Sequence, residues 1–441
     1  MRKKIICTML VSAMTLSLTA CGGDSNSSNG DSGKSSVDTL QVDIWDNNQL
    51  AGLQQIADEW TKESGVKVQI NVVDWDNYWT LLEAGASGGE MPDVFWMHSN
   101  TAQMYMENDL LLPLDDYIKS DDAIDLNNYY EGVVNLYKRS DNGVQYALPK
   151  DHDTIALLYN KAIFDKYGVN YPTDDWTWED VREAAEKITT AGKSDGVYGY
   201  AVNTSNNQDG WYNVVYDYGA QVITDDHKGT TIGSEQGKNA MEMVRQLLEV
   251  SAPQTTVAET GTDSLFMSGL TAMITQGSWM INSFYTAENS KDYAWAMLPY
   301  ADVNGNGSCD SGERFSAYNG LGWAASKSTK DPSAAYSLIS YFCSEKGQKE
   351  QAKLGVTMGG MKNVSEDFAN AFDGMDVSAF IKIEEEGDLF FRPYTRNTTV
   401  WEDSIQQDAF LAAWQKPSDQ ALMAEACDKA QKIIDDAIAN E

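Results

Sequence analysis

The chain is poor in the residues that build metal clusters, disulfide frameworks and basic surfaces. Its 441 residues include three histidines, five cysteines and nine prolines. His98, His152 and His227 are too scattered to define a metal cluster. Cys7 and Cys21 lie in the first segment, which leaves Cys309, Cys343 and Cys427, an odd number without metal-ligand spacing. No disulfide framework is implied. Lys and Arg number 32 against 66 Asp and Glu, a net charge of −34. Such acidity argues against nucleic acid and anionic lipid as partners and favours a soluble monomer with a solvated acidic surface. After residue 18 no run is long and apolar enough to cross a bilayer.

The first segment explains where the chain works. Arg2, Lys3 and Lys4 precede an apolar stretch from Ile5 to Leu18, the proportions of a secretory signal rather than a membrane span. Leu18-Thr19-Ala20-Cys21 resembles the lipobox of bacterial lipoproteins, in which the cysteine is acylated and becomes the new N-terminus. Residues 22–36 carry no apolar side chain and read as a flexible tether. The expectation is a signal over 1–20, lipidation at Cys21, a disordered tether over 21–36, and a folded body on the outer face of a Gram-positive cell membrane. That body is too long for one core and long enough for two lobes.

Within it, Leu40 to Trp45 alternates as a strand, Leu50 to Ser64 has helical periodicity, and Gly65 ends that helix. Val66 to Val73, Tyr78 to Ala86 and Pro92 to Trp96 continue a β-α-β-α-β rhythm. This predicts an α/β architecture with a mostly parallel sheet flanked by helices. Ligands of such sheets bind beyond the carboxyl ends of the strands. Asp46-Asn47, the cluster around Trp75, and His98-Ser99-Asn100 fall at three successive strand ends.

The longer motifs are more specific. Gly89 to Met97, Tyr146 to Lys161, Phe266 to Trp279 and Gly320 to Lys327 keep the order of motifs found in extracellular solute-binding proteins of bacterial ABC importers. The chain resembles the branch of that family that includes maltose-binding protein and sugar-binding lipoproteins. The resemblance implies two α/β lobes of the type II periplasmic-binding-protein kind, joined by a multi-segment hinge with the ligand in the cleft between them. The first lobe is expected over 37–150 plus 320–360 and the second over 151–319 plus 361–441. Partners would be a sugar ligand, two membrane permease subunits and their ATPase. No cofactor is required and no catalytic residues are expected.

Sugars offer hydroxyls and apolar C–H faces, so their sites combine flat rings with directional polar groups. Matched to the family's contact positions, Asp46, Asn47, Trp96, Ser99, Asn100, Asp153 and Trp279 are candidate ligand residues. Ser99 and Asn100 replace charged residues of the family pattern. Asp209, Trp211, Asn319, Arg392 and Trp401 follow from looser placement, and Trp75 and His98 from the strand ends. Separately, Asp302, Asn304, Asn306, Ser308, Asp310 and Glu313, with Gly307 at the turn, fit the spacing of a calcium loop, although a strand precedes it where an EF-hand has a helix. An Asn/Gly-rich hairpin turn fits the same residues. Two rival functions are a binding protein for another solute, such as a polyamine, and a secreted glycoside hydrolase. The hydrolase needs two carboxyls facing one bond, and no pair stands out.

Overall fold

A computed structural model describes residues 36–441. The expected signal, Cys21 and nearly all of the tether lie outside the described residues. Among the described residues no helix is long and apolar enough to cross a membrane.

Eleven strands are described in chain order: β1 Thr39–Ile44, β2 Lys67–Val72, β3 Val94–Met97, β4 Ala147–Pro149, β5 Ile155–Asn160, β6 Tyr198–Tyr200, β7 Thr271–Gly277, β8 Tyr293–Met297, β9 Phe315–Tyr318, β10 Gly322–Ala325 and β11 Asp388–Phe391. They form a five-stranded sheet ordered β2-β1-β3-β10-β4, a four-stranded sheet ordered β6-β7-β5-β8, and a β11-β9 pair. The first sheet opens as the alternation predicts, with β1 parallel to both β2 and β3. The parallel expectation weakens elsewhere. β10 runs antiparallel to β3 and β4, and β5 runs antiparallel to β7 and β8. The reason is topological: β5 is reached from β4 of the first sheet and β10 from β9 of the β11-β9 pair, so each arrives by a crossing segment and runs opposite to its new neighbours.

Local chemistry sets the element ends. Asp46 caps the helix Asn47–Ser64, its side chain accepting from Asn48 N, and Gly65 closes that helix in the left-handed region at φ 77°. Asp74 and His98 cap the helices Trp75–Gly88 and Ser99–Glu107 in the same way. Three of the polar strand-end residues therefore satisfy helix N-termini, which leave N–H groups without intrahelical partners.

The first sheet is covered on both faces. Leu53, Ile56, Trp60, Trp323, Leu338 and Phe342 build one apolar cluster, and Tyr78, Phe95, Tyr105 and Tyr137 build the other. The second sheet carries a larger core that takes in Phe380, Phe390, Trp401, Phe410, Trp414 and Met423 from the last third of the chain.

Between the sheets the chain passes three times, and the three passes are hydrogen bonded side by side. Residues 150–153 form the middle strand of this ribbon. Lys150 N donates to Leu321 O (2.8 Å) and Asp153 N to Asn319 O (2.8 Å) on one side, and His152 N donates to Met358 O (3.2 Å) on the other. Lys150 has no solvent exposure, and its ammonium meets Asp151 Oδ2 at 2.5 Å and Gln49 Oε1 at 2.9 Å. It also lies 4.5 Å from the Trp96 ring centroid. Asp151 Oδ1 accepts from Leu321 N at 2.7 Å, so both carboxylate oxygens have a partner. Removing one partner of a buried pair leaves an uncompensated charge. Asp151→Ala is expected to lower stability by about 3–5 kcal/mol in denaturant unfolding. A loss below about 1 kcal/mol, as for an exposed pair, would contradict this role.

Candidate functional site

The carboxyl ends of β1 and β3 face the second lobe across residues 150–153 and 319–321. At this junction the structure gathers a buried polar chain. Ser99 Oγ donates to Asn319 Oδ1 (2.9 Å), Asn319 Nδ2 donates to Gln208 Oε1 (3.2 Å), and Gln208 Nε2 donates to Asp153 Oδ1 (2.5 Å). His98 Nε2 lies 3.4 Å from Asn319 Nδ2. The chain thus runs from the first lobe through the hinge to the helix Asn207–Gly210 of the second lobe.

Electrostatics sharpen the picture. Burial, with the repulsion of Asp151, pushes the Asp153 carboxyl up to about 8. Burial and Asp263 push Asp209 well above the usual carboxylate range. Burial and the charge on Arg392 push His98 down to about 3, so its ring is neutral, and its Nδ1 accepts from Asn100 N at 3.2 Å. Arg392 binds both oxygens of Glu402 through Nη2 at 2.9 Å. Its buried Nη1 has no hydrogen-bond partner among the described residues, and neither has Asn100 Oδ1.

Beside this polar chain stands an aromatic wall. Trp75 is 42 % exposed and meets Trp45, Trp79 and His98 edge-on at 5.2, 5.5 and 5.6 Å between centroids. Such edge-to-face packing holds a ring rigidly while leaving a face available. Trp279 is partly buried and lies over Gly277, where a Cβ would come within 1.9 Å of the indole. The glycine is what allows that ring to approach the backbone so closely.

The other predicted residues take different places. Asp46 is a helix cap that also accepts from Gln49 Nε2 at 3.1 Å, and Asn47 is exposed. Trp96 is fully buried beneath Trp45 and Trp323. Trp211 and Trp401, placed more loosely among the candidate ligand residues, are fully buried in the second core. Trp211 packs on Tyr212 and Phe410 with its N–H given to Asn207 Oδ1, and Trp401 gives its N–H to Thr395 Oγ1. Asp209 accepts from Asn203 Nδ2 at 3.1 Å. Sequence reasoning missed Gln208, Trp45 and Trp79. Trp79 was accessible as the i+4 neighbour of Trp75 on one helix face. It also missed Asn48, which donates to Ser283 Oγ at 2.8 Å across the mouth between the lobes.

The 302–313 loop lies apart from this group. Asp302 accepts from the N–H groups of Asn306 and Gly307 (both 3.0 Å), Asp310 accepts from the amides of Asn304 and Asn306, and Glu313 accepts from Asn304 Nδ2 and Asp310 N. Ser308 N donates to Asn306 Oδ1, and Gly307 is left-handed at φ 74°. The donor set is all oxygen, which suits a hard cation. Two features oppose this fit. Among the described residues no three His, Cys, Asp or Glu side chains converge closely enough to hold a metal, and the Asn304 amide nitrogen occupies the inward position where an oxygen is required.

Comparison with known proteins supplies the context of this site. Residues 45–349 match the family of bacterial extracellular solute-binding proteins. The galactooligosaccharide-binding protein of Bacillus subtilis is 24 % identical over 389 residues, which cover 83 % of each chain. The maltooligosaccharide ABC transporter solute-binding lipoprotein of Streptococcus pneumoniae is 23 % identical over 356 residues, 77 % of this chain and 76 % of its own. An ABC substrate-binding protein of Listeria monocytogenes, solved in complex with cycloalternan, superposes with a TM-score of 0.78 at 21 % identity, covering 91 % of this chain and 99 % of the other. The two-lobed fold of such receptors is therefore the fold of this chain.

Proposed function

The chain belongs to the bacterial extracellular solute-binding protein family, and we propose that it captures an oligosaccharide between its lobes and delivers it to the permease and ATPase of an ABC importer. One observation carries this reading: a rigid aromatic wall with an exposed face, Trp75 on Trp45 and Trp79, stands beside a polar chain linking both lobes. The rings suit the apolar faces of a sugar, and Ser99, Asn319, Gln208, Asp153 and the free Nη1 of Arg392 suit its hydroxyls. The two relatives named for oligosaccharides support the same class. Closure couples to capture because a ligand touching both lobes favours the state in which they meet. The reading assigns no catalytic role to any residue.

A thermal-shift screen with maltooligosaccharides, galactooligosaccharides and polyamines tests this, since stabilisation grows with ligand excess over Kd. At least one saccharide is expected to raise the melting temperature. Trp75→Ala, which removes a ring already half in solvent, is expected to weaken that saccharide about tenfold to a hundredfold by calorimetry without lowering the unliganded melting temperature. Stabilisation by a polyamine alone, or hydrolysis of the saccharide during incubation, would overturn the assignment.

The same reading places the receptor outside the cytoplasm, as a monomer held at the membrane by lipid on Cys21. Two acyl chains anchor stably where one does not. Cys21→Ala is expected to release the protein into the medium while leaving saccharide affinity intact; retention of the variant in the membrane fraction would argue against lipid anchoring.

A structural calcium ion in the 302–313 loop is a separate proposal. It requires the Asn304 amide to turn over and Asp302, Asp310 and Glu313 to draw together. Calorimetry after chelation is expected to show binding at millimolar or lower calcium, about the range of extracellular sites, and no heat under those conditions would mean that the loop is an Asn/Gly-rich hairpin turn only.

A further inference from the structure

His152 sits at the centre of the hinge ribbon with no solvent exposure. Its Nδ1 is 2.6 Å from the carbonyl oxygen of Gly359, and its Nε2 is 2.7 Å from Glu384 Oε1. A carbonyl and a carboxylate only accept hydrogen bonds. A neutral imidazole has a single N–H and satisfies one of them; the imidazolium satisfies both. The geometry therefore asks for a charged ring.

The partners come from every part of the hinge. Gly359 lies on the third pass between the lobes. Glu384 lies on the helix Ala379–Glu386, packed on the second sheet. Tyr130, on the first-lobe side, donates to the other Glu384 oxygen at 3.3 Å, and its ring centroid is 4.6 Å from that of His152. Tyr318, on the second pass, stacks on the imidazole at 5.4 Å and 20°. The titratable and charged groups around the ring are thus Glu384, Tyr130 and Tyr318 from the facing elements, and Lys150, Asp151 and Asp153 on its own strand. Lys150 and Asp151 are spent on each other.

We propose that His152 is a proton-operated lock on the hinge: charged, it ties the three crossing segments to the helix Ala379–Glu386 and through Glu384 to Tyr130; neutral, it must release either the Gly359 carbonyl or the Glu384 carboxylate, and the lobes separate more readily. Burial by itself lowers the histidine pKa, but the charge and hydrogen bond of Glu384, the Gly359 carbonyl and Asp153 outweigh it and hold the pKa above the ordinary value. For a group raised on folding, the stabilisation is complete below the unfolded value of about 6.5 and is lost as pH rises through the folded one. The lock is therefore closed in mildly acidic surroundings and opens on the alkaline side, a range that histidine alone covers without an unusual environment.

Two measurements on the whole ligand-free protein test this without any saccharide. Long-range nitrogen–proton NMR of the three histidines, assigned with His227→Gln, is expected to show both His152 nitrogens protonated at about pH 6.5. Small-angle scattering is expected to show the radius of gyration rising above about pH 6.5 as His152 loses its proton. In Glu384→Gln the shape of the partner is kept and its charge removed; the His152 transition is expected to fall by about one pH unit or more, and the expansion to move with it. His152→Gln, checked for folding by circular dichroism, is expected to give a radius that no longer responds over this range. A neutral His152 at about pH 6.5, a wild-type radius unchanged through its titration, or equal expansion in His152→Gln would each overturn the proposal.

Discussion

Four consecutive charged or titratable residues, Lys150, Asp151, His152 and Asp153, are buried in the strand that joins the lobes. Burying charge is expensive unless each group finds a dedicated partner, and this requirement organises the middle of the molecule. Lys150 takes Asp151 and draws in Gln49 from the first helix, while Asp151 also fixes Leu321 N on the second pass. His152 takes Gly359 on the third pass and Glu384 from the second lobe. Asp153 takes Gln208. A single four-residue strand thereby commits partners from both lobes and all three crossings. An apolar hinge would pack as well, but it would not specify which elements meet.

The site adds two kinds of side chain with different physical tasks. The first lobe contributes rings that hold one another edge-on, so that Trp75 is kept in place without being buried. Ser99 of the first lobe, the hinge residues Asn319 and Asp153, and Gln208 of the second lobe contribute polar side chains whose hydrogen bonds run from one to the next. A ring wall recognises shape and apolar area and discriminates weakly between hydroxyl patterns. A chain of polar groups is the kind of surface that can discriminate between such patterns, because a buried donor or acceptor left unpaired is costly.

Much of this arrangement is legible in the order of residues. The β-α-β-α-β start of the first lobe follows from alternation, helical periodicity and a glycine that the left-handed end of the helix at Gly65 demands. The polar residues at three strand ends stand out for the right positional reason, yet Asp46, Asp74 and His98 are helix caps as well, since a strand end that opens a helix needs a cap whatever it binds. Rings are harder. Composition cannot tell a tryptophan that packs from one that waits for a ligand, and Trp96, Trp211 and Trp401 pack. Gln208 is invisible to sequence reasoning because its two partners lie 55 and 111 positions away. The antiparallel course of β5 and β10 escapes for a related reason: strand direction depends on where the chain arrives from, which periodicity does not encode.

Asp153 ties these observations together, because it is at once the last residue of the hinge strand and a member of the polar chain. Its backbone pairs in both directions with Asn319, whose side chain carries the hydrogen bonds to Ser99 and Gln208. Any ligand group that replaces the Gln208 amide at Asp153, or the Ser99 hydroxyl at Asn319, acts directly on residues of two crossing segments. The neighbouring residue His152 holds the third. Coupling between the site and the hinge therefore needs no long pathway through the protein. It runs through one peptide bond, between a residue that meets the cleft and a residue whose charge fixes the ribbon. The proposed capture and the proposed lock therefore make cleft occupancy and hinge protonation linked variables, each able to bias the arrangement of the lobes that the other prefers.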